Sequence, residues 1–534
     1  MIDREDRKGA GRSRWLGGRW WASIAMALLL FAVGYGIANR FQLVHGVAYR
    51  LAAGDGRSAA VSTQFLGFQA LVLLAALILL PRRWAVGLLA LAGASILVNL
   101  GYAQIVDELV DGGSLAWMIA EVRQAGNAAG EFGGDFLFVG AQVAAALALF
   151  AVARRLARRA LPMPWSPAIA AALLALLAAP SLLYRLAPVS PEGAERSLYG
   201  LSWDMLRSPP PPARTAVAIT RDASAKSPRH IVWVIDESVA EAPFARLIAP
   251  RIADVPHLDF GIAAALGHCS APAQVALRSG VDVRRVSSTT DLRATPSIWA
   301  YAKAAGYRTA KIDGQTAGAP QNLMLPPEHV LIDDYRAMAG GIDTDLKIAD
   351  ALNARMKGAG RSFTYAVLRG VHFQYRDHYP KGAIPANSPV ALQYDTALSW
   401  SKRDFFARLL DGVDRDAVAV VYTSDHGQNL TPGALPHCSR EARPDEFRVP
   451  LLAFLSPEET VRYAVAPRSG HSASQIFPAT LGWMGYDRAA AADRYDNDLT
   501  EATARFVWFG RTVIPTGRDP TIDVKVGQAF PGSR

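Results

Sequence analysis

The stretch Ala417–Gly427, AVAVVYTSDHG, decides how the rest of this 534-residue chain is read. Its apolar, largely β-branched run is short for a helix and reads as a strand buried on both faces. The run stops at Asp425-His426-Gly427, so a carboxylate and an imidazole stand at the strand's carboxyl end. Working outward from there, similar runs alternate with helix-like stretches from His230 onward: HIVWVIDES (230–238), SIWAYAKAAGYRTAKID (297–313), FTYAVLRG (363–370), ALSWSKRDFFARLLDGV (397–413) and VPLLAFLS (449–456). That alternation predicts an α/β domain with a largely parallel sheet, and such sheets hold their ligands at the carboxyl ends of the strands. Two further runs end in chemistry: HIVWVIDES in Asp236-Glu237, and the run through Leu368 in His372. Taken singly, each acidic residue is a solvated turn or a helix cap. Brought to one sheet edge, carboxylates and imidazoles form a donor set that suits zinc, which takes oxygen and nitrogen ligands at about 2.0–2.2 Å.

The other end of the chain is of a different kind. The composition is 51% hydrophobic, high for a wholly soluble protein, and the excess is concentrated in residues 20–38, 63–80, 84–103, 136–153 and 166–184. Each run approaches the roughly 20 residues with which a helix crosses a bilayer, so five membrane spans are expected within a domain covering 1–184. A cleaved leader accounts for the first run only, so that run is expected to stay as an anchor. Basic residues cluster before span one (Arg4, Arg7, Lys8, Arg12, Arg14, Arg19), between spans two and three (Arg82, Arg83) and between spans four and five (Arg154, Arg155, Arg158, Arg159). Basic loops stay cytoplasmic, which places the N-terminus inside and everything after residue 185 outside. The acidic loop 104–135 agrees; the loop 39–62, with Arg40, Arg50 and Arg57, argues weakly the other way.

Between 185 and 229 the apolar runs give way to RSPPPPART (207–215), whose prolines favour an extended spacer. This stretch is read as a linker and 230–534 as the outer domain. Loop arginines supply much of the net charge of +9, so no nucleic-acid partner is expected, while a basic outer domain suits anionic head groups. The two cysteines, Cys269 and Cys438, exclude a disulfide-dense scaffold.

Asp425-His426-Gly427, Glu237 after the first strand, and GHCSAPAQVALRSG (267–280) together resemble the alkaline phosphatase and sulfatase superfamily. Within it the chain is similar to the membrane-anchored phosphoethanolamine transferases that modify lipid A. GVHFQYRDHYP (370–380), QYDTALSWSKRDF (393–405), LPHCS (435–439) and SGHSASQIFPATLGWMG (469–485) follow that family's motifs in order, behind the five spans. The resemblance implies a five-helix transmembrane region and a periplasmic α/β domain of alkaline phosphatase/sulfatase-like fold, in a multi-pass protein of the bacterial inner membrane.

The resemblance also implies roles. Glu237, Asp425 and His426 hold the principal zinc, with Ser270 as fourth ligand and catalytic nucleophile; one Zn2+ is expected and a second is left open. Sulfatases carry Cys-x-Pro-Ser-Arg with a Gly ten residues after the Cys. Here Pro272 and Gly280 set the register on Ser270, and Ala273 and Gln274 replace the Ser and Arg, so a plain hydroxyl is expected rather than formylglycine. The family usually has Thr in this role. His372 and His437 fall on histidines that contact the transferred phosphate or a second metal. Asp236 either assists a second metal or is structural, and His268, His378 and His471 are read chiefly as structural. Cys269 adjoins Ser270 and Cys438 adjoins His437, so a bridge would pin the two loops together if both line one pocket; the rival is two buried thiols.

The implied activity is transfer of phosphoethanolamine, or a related head group, from a membrane phospholipid to lipid A or another envelope glycan through a phosphoserine-type intermediate. Its rivals are phosphoglycerol transfer, a membrane-tethered phosphatase or phosphodiesterase, and a non-catalytic domain that senses the envelope. A monomer is expected.

Overall fold

The computed structural model describes residues 6–527 other than 53, 107, 121–131, 162–165, 184–191, 208–209, 319, 321, 339, 433, 440–441 and 516–519. The chain forms two compact units. The first takes Met1–Ala116 and Arg123–Ser208; the second takes Pro209–Pro515 and Pro520–Arg534, with the short piece Trp117–Val122.

The first unit is built on α1 (Asp6–Ala38), α2 (Gly56–Leu79), α3 (Arg82–Val106) and α4 (Gly133–Ala160). Among the described residues these four contain the helical stretches long and apolar enough to cross a membrane, beginning at Trp20 in α1. The fifth expected span, 166–184, is a shorter helix, α5 (Pro167–Leu183), of 17 residues. Arg4 of the first basic cluster, residue 184, residues 185–191 and 208–209 of the expected linker, and Asp107, Glu121, Arg123 and Glu131 of the acidic loop lie outside the described residues.

Small residues set the packing of this unit. A Cβ on Gly34 would sit 3.1 Å from Leu149 Cβ and 3.2 Å from the Ala146 carbonyl, so glycine lets α1 and α4 approach closely, while Phe31 and Phe150 rest against each other at 5.3 Å. The arginines that end α4 also cap α2. Arg154 Nη2 donates to the Leu80 carbonyl (2.9 Å) and Arg158 Nη1 to that of Ile78 (3.2 Å), placing cations at the negative end of the helix dipole.

Part of the expected linker is not extended. The Gly193 N–H donates to Gln69 Oε1 (2.6 Å), the Ala194 N–H to Asn39 Oδ1 (2.7 Å), and the Ser95 hydroxyl to the Ala194 carbonyl (2.6 Å). Buried amide and hydroxyl side chains among apolar helices need partners, and this backbone supplies them. Helix α6 (Ser197–Arg207) follows, and residues without regular structure resume at Pro210.

The second unit is organised by β1 (His230–Asp236), β2 (Leu258–Ala264), β3 (Arg308–Asp313), β4 (Asp334–Ala337), β5 (Ser362–Val367), β6 (Val418–Ser424), β7 (Arg448–Phe454) and β8 (His471–Ser472). They form one sheet in the order β4-β3-β5-β1-β6-β7-β2-β8. β1 pairs in parallel with β5 on one side and β6 on the other, and β7 runs antiparallel to both β6 and β2. The order reverses beside β1, so the carboxyl ends of β5, β1 and β6 open on the crevice where such sheets take ligands. All seven residues of β1 and of β6 are buried, because apolar layers cover both faces.

One layer contains α7 (Ser270–Arg278) and the other contains α8 (Thr344–Met356) and α9 (Val390–Ser401). β2 escapes sequence reading because its register shifts between Asp259 and Ile262, where Gly261 adopts φ +73° and breaks the alternation. A separate hairpin, β9 (Phe506–Phe509) with β10 (Val524–Gly527), was not visible in the sequence pattern either.

Trp233 centres one layer. It is fully buried, lies 5.6 Å from the Phe363 ring and 5.8 Å from that of Tyr365, and donates through Nε1 to Thr480 Oγ1 at 2.9 Å. Trp233→Ala is expected to destabilise this unit by about 3–5 kcal/mol. A melting temperature of the full chain in detergent unchanged by the substitution would contradict the packing described.

Candidate metal centre and nucleophile

Three turns meet at the carboxyl edge of the sheet. Asp236 of β1 pairs in register with Ser424 of β6, so the residues that follow, Glu237 and Asp425-His426, leave the sheet side by side. The Asp425 N–H closes this junction by donating to the Asp236 carbonyl at 3.0 Å. The ligand atoms of Glu237, Asp425 and His426 lie within 4.8 Å of one another, and all three residues are buried.

Ser270 enters from α7. Its Oγ lies 3.1 Å from Glu237 Oε1 and 3.1 Å from His426 Nε2. Ser270 is the first residue of a nine-residue helix whose N-cap is Cys269, so its hydroxyl stands where unpaired backbone N–H groups and the positive end of the dipole face outward. Pro272 fits there, since it lacks an N–H that the first turn would leave without an intrahelical partner.

The electrostatics of this cluster ask for a cation. Burial, and after it the facing Glu237 carboxylate, pushes the Asp425 carboxyl up to about 7, and burial likewise raises that of Glu237. The donor geometry fits a metal. His426 Nε2 is 3.5 Å from Glu237 Oε1 and 3.8 Å from Asp425 Oδ1, and ligand atoms of a tetrahedral site with ~2.1 Å bonds stand roughly 3.4 Å apart. His426 Nδ1 donates to the Gly427 carbonyl at 2.8 Å, which fixes the tautomer and leaves the Nε2 lone pair facing the cluster. Glu237, Asp425 and His426 therefore form a cluster able to hold a metal ion, with the Ser270 hydroxyl beside it.

The remaining expected site residues divide. His437 lies against His426, ring centroids 4.5 Å apart, and against His372 at 5.8 Å. Burial first, and the neighbouring histidines next, hold the His437 pKa well below its ordinary value. The Gln428 amide is 3.2 Å from His437 Nδ1; with its oxygen on the Tyr375 hydroxyl, its NH2 donates to that nitrogen, which leaves the His437 proton on Nε2. His372 stands exposed, its Nδ1 2.7 Å from the Phe373 carbonyl oxygen.

Cys269 and Cys438 are bridged, Cα atoms 5.0 Å apart, and the Cys438 N–H donates to the His268 carbonyl at 2.9 Å, so the Ser270 and His437 loops are strapped together. Asp236 takes no part in the cluster. Its Oδ2 accepts from the Tyr422 hydroxyl (2.5 Å) and faces the Lys402 ammonium (2.9 Å), so the reading of it as a ligand to a second metal is set aside. His268, His378 and His471 are buried or nearly so, and His471 is held between Gln475 Oε1 (3.1 Å) and the Pro467 carbonyl (2.6 Å), a structural arrangement.

Sequence reasoning missed the groups that orient the carboxylates. Ser238 adopts φ +62°, a conformation uncommon for a residue with a side chain, and thereby aims its N–H at Asp425 Oδ1 (3.2 Å) and its hydroxyl at Glu237 Oε1 (2.8 Å). Gln315, just past the end of β3, donates to Glu237 Oε2 and is itself held by Asn322 Nδ2 at 3.0 Å. Gln274, one helical turn after Ser270, donates to Asp425 Oδ2 at 3.4 Å. The position of Gln315 after another strand at the same edge was the one available signal.

Residues 230–486 match the sulfatase family model. No curated protein matches the chain in sequence. Among solved structures, the integral membrane protein lipooligosaccharide phosphoethanolamine transferase A from Neisseria meningitidis is similar over 89% of this chain and 96% of its own, with TM-score 0.50 and 15% identity. The C-terminal periplasmic domain of EcEptC from Escherichia coli covers 56% of this chain and 93% of its own, at TM-score 0.45 and 17% identity. The lipoteichoic acid synthase LtaP from Listeria monocytogenes covers 56% and 84%, at TM-score 0.38 and 13% identity. These identities speak to the fold.

Gly370 packs beneath the cluster at φ +59°, where a Cβ would lie 2.4 Å from the Glu237 carbonyl oxygen and 2.7 Å from its Cβ. Gly370→Ala is therefore expected to displace Glu237 and weaken binding of a divalent metal ion at least tenfold, measured by calorimetric titration of the protein. Wild-type affinity in that variant would contradict the geometry.

Proposed function

We propose, from the premise that the second unit of this chain belongs to the enzymes of the sulfatase and alkaline phosphatase superfamily, that the protein transfers a phospho head group from a membrane lipid to an envelope acceptor. The observation that carries this reading is the Ser270 hydroxyl at the start of a helix, 3.1 Å from both Glu237 and His426. A hydroxyl in that position is a nucleophile rather than a general base, and among the described residues its side-chain hydrogen-bond partners are Glu237 and His426. The long apolar helices of the first unit support a donor drawn from the bilayer, and the donor set supports zinc, held by Glu237, Asp425 and His426 with Ser270 as a fourth ligand. When bound, zinc would lower the pKa of the hydroxyl and offset negative charge on the phosphoryl oxygens.

The chain's own residues divide the chemistry as follows. Ser270 Oγ attacks phosphorus, forming an Oγ–P bond as the bond from phosphorus to the diacylglycerol oxygen breaks. The proton that oxygen gains from solvent balances the one Ser270 loses, and His437, neutral and protonated on Nε2, is suited to hold the departing oxygen by a hydrogen bond. His372, exposed beside His437, is suited to hold the non-bridging oxygens. An acceptor hydroxyl or phosphate then attacks the phosphoserine and returns Ser270 to its starting state.

The head group read from the motifs is phosphoethanolamine, and the acceptor lipid A or another envelope glycan, in a bacterial inner-membrane protein whose N-terminus is cytoplasmic and whose residues from 185 onward are periplasmic. Domain limits of 1–184, 185–229 and 230–534 belong to the same reading, with residues 193–207 attached to the first unit.

Intact-mass analysis of the protein incubated with phosphatidylethanolamine is expected to find a phosphoethanolamine adduct on Ser270, and Ser270→Ala to lower transfer by roughly 1,000-fold or more. A phosphoglycerol adduct from cells would redirect the head group, free phosphoethanolamine without a modified glycan would make the enzyme a hydrolase, and no adduct with full activity in Ser270→Ala would end the reading. Zinc at 100 times its Kd is expected to stabilise the protein by about 2.7 kcal/mol, and Asp425→Asn to lose most of that, read from melting with and without a chelator.

A further inference from the structure

Lys402 has no place in the chemistry above, yet its side chain is fully buried against the metal centre's own strand. Its ammonium lies 2.9 Å from Asp236 Oδ2, 2.7 Å from Asp345 Oδ2 and 2.6 Å from the Ser401 hydroxyl. The three charged side chains are 0%, 0% and 3% exposed, so water screens none of these contacts. Each carboxylate in turn holds backbone that belongs to the site. Asp236 accepts the Glu237 N–H through Oδ1 (3.0 Å), and its carbonyl accepts the Asp425 N–H (3.0 Å) and the Ser424 hydroxyl (3.2 Å). Asp345 accepts the Arg369 N–H through Oδ1 (2.8 Å) and the Gly370 N–H through Oδ2 (3.2 Å), three and two residues before His372. The Val371 N–H then donates back to the Glu237 carbonyl at 3.0 Å.

We propose that Lys402 is a positioning residue for the reaction: one buried ammonium at the end of α9 joins the turn that presents Glu237 and Asp425 to the loop that presents His372. The proposal rests on the reading of Glu237, Asp425 and His426 as a metal centre. Removing the ammonium leaves two carboxylates without their shared counter-ion, and the backbones they hold are free to shift. The two arms have different consequences. The Asp236 arm bears on metal ligands and so on metal affinity. The Asp345 arm bears on the His372 loop and so on turnover. A merely structural ion cluster has no reason to divide its effects in this way.

The test uses the full chain in detergent, with zinc alone as the metal probe, read by competition with a chromogenic chelator, by melting temperature, and by turnover of labelled phosphatidylethanolamine. Lys402→Met combined with Asp236→Asn removes one charge of each sign, and Asp345 keeps its Ser401, Arg369 and Gly370 donors. This double variant is expected to bind zinc about 10- to 100-fold more weakly than wild type. Asp345→Asn leaves the Lys402–Asp236 pair in place; it is expected to hold zinc within about threefold of wild type and to lose kcat about 10-fold or more with KM little changed. Wild-type zinc affinity in the double variant, or losses of affinity and turnover that follow melting temperature alike in both, would overturn the proposal while leaving the metal reading intact. A wild-type protein that takes up no zinc would overturn that reading, and this proposal with it, before any variant is compared.

Discussion

Glu237 and Asp425 are buried acids whose oxygens lie within 4.8 Å of each other, and that mutual repulsion in a dry environment is the constraint around which the second unit is arranged. Two such carboxylates cannot both ionise near neutral pH unless a cation stands between them; without one they share a proton. Among the described residues, no lysine or arginine is paired with either acid. The fold surrounds the pair with neutral donors, the Ser238 N–H and hydroxyl, the Gln315 and Gln274 amides and the Ser270 hydroxyl, and leaves the His426 Nε2 lone pair facing the same spot. Neutral donors orient carboxylates without neutralising them, so the charge stays available for a divalent ion.

The supporting structure follows from that arrangement. Parallel pairing of β1 with β6 brings the two acids out of the sheet together, since the hydrogen-bond register matches Asp236 to Ser424 and so sets the next residues side by side. The Ser270 hydroxyl comes from a different part of the chain and needs separate fixing. Its loop is tied by the Cys269–Cys438 bridge to the His437 loop, and from the other side by the β9–β10 hairpin, where the Phe509 N–H donates to the Leu266 carbonyl at 2.8 Å and Arg511 to the Cys438 carbonyl. Full charges are kept one layer behind, in the Lys402–Asp236–Asp345 group. A buried ion group this close to a metal site adds little net stability, but it fixes backbone geometry because either carboxylate, if released, would be left unpaired.

How far the sequence disclosed this differs from element to element. The strands that carry ligands were legible because burial on both faces leaves β1 and β6 as unbroken apolar runs, and Asp-His-Gly marks where one of them stops. The four long apolar helices of the first unit and the helix within 166–184 were legible from composition alone, whereas the polar grip on residues 193 and 194 was not, since single Asn, Gln and Ser residues in apolar helices do not announce their partners. Asp236 shows the limit at the site. Next to Glu237 in sequence, it points to the other face of the strand because side chains alternate, and it meets Lys402, which lies more than 150 residues later. Gln315 and Gln274 escaped because an amide beside a carboxylate has no spacing signature. β2 escaped because a bulge at Gly261 spoils its period.

The central claim is that one metal ion is held jointly by Glu237, Asp425 and His426 with the Ser270 oxygen at its side. Anomalous diffraction at the zinc absorption edge, from crystals of the full chain purified without added metal or chelator, tests it most directly. The account predicts a single strong peak about 2.0–2.2 Å from one oxygen of each acid, from His426 Nε2 and from Ser270 Oγ. Well-ordered density with no peak, and a short oxygen–oxygen contact between Glu237 and Asp425 sharing a proton, would contradict it.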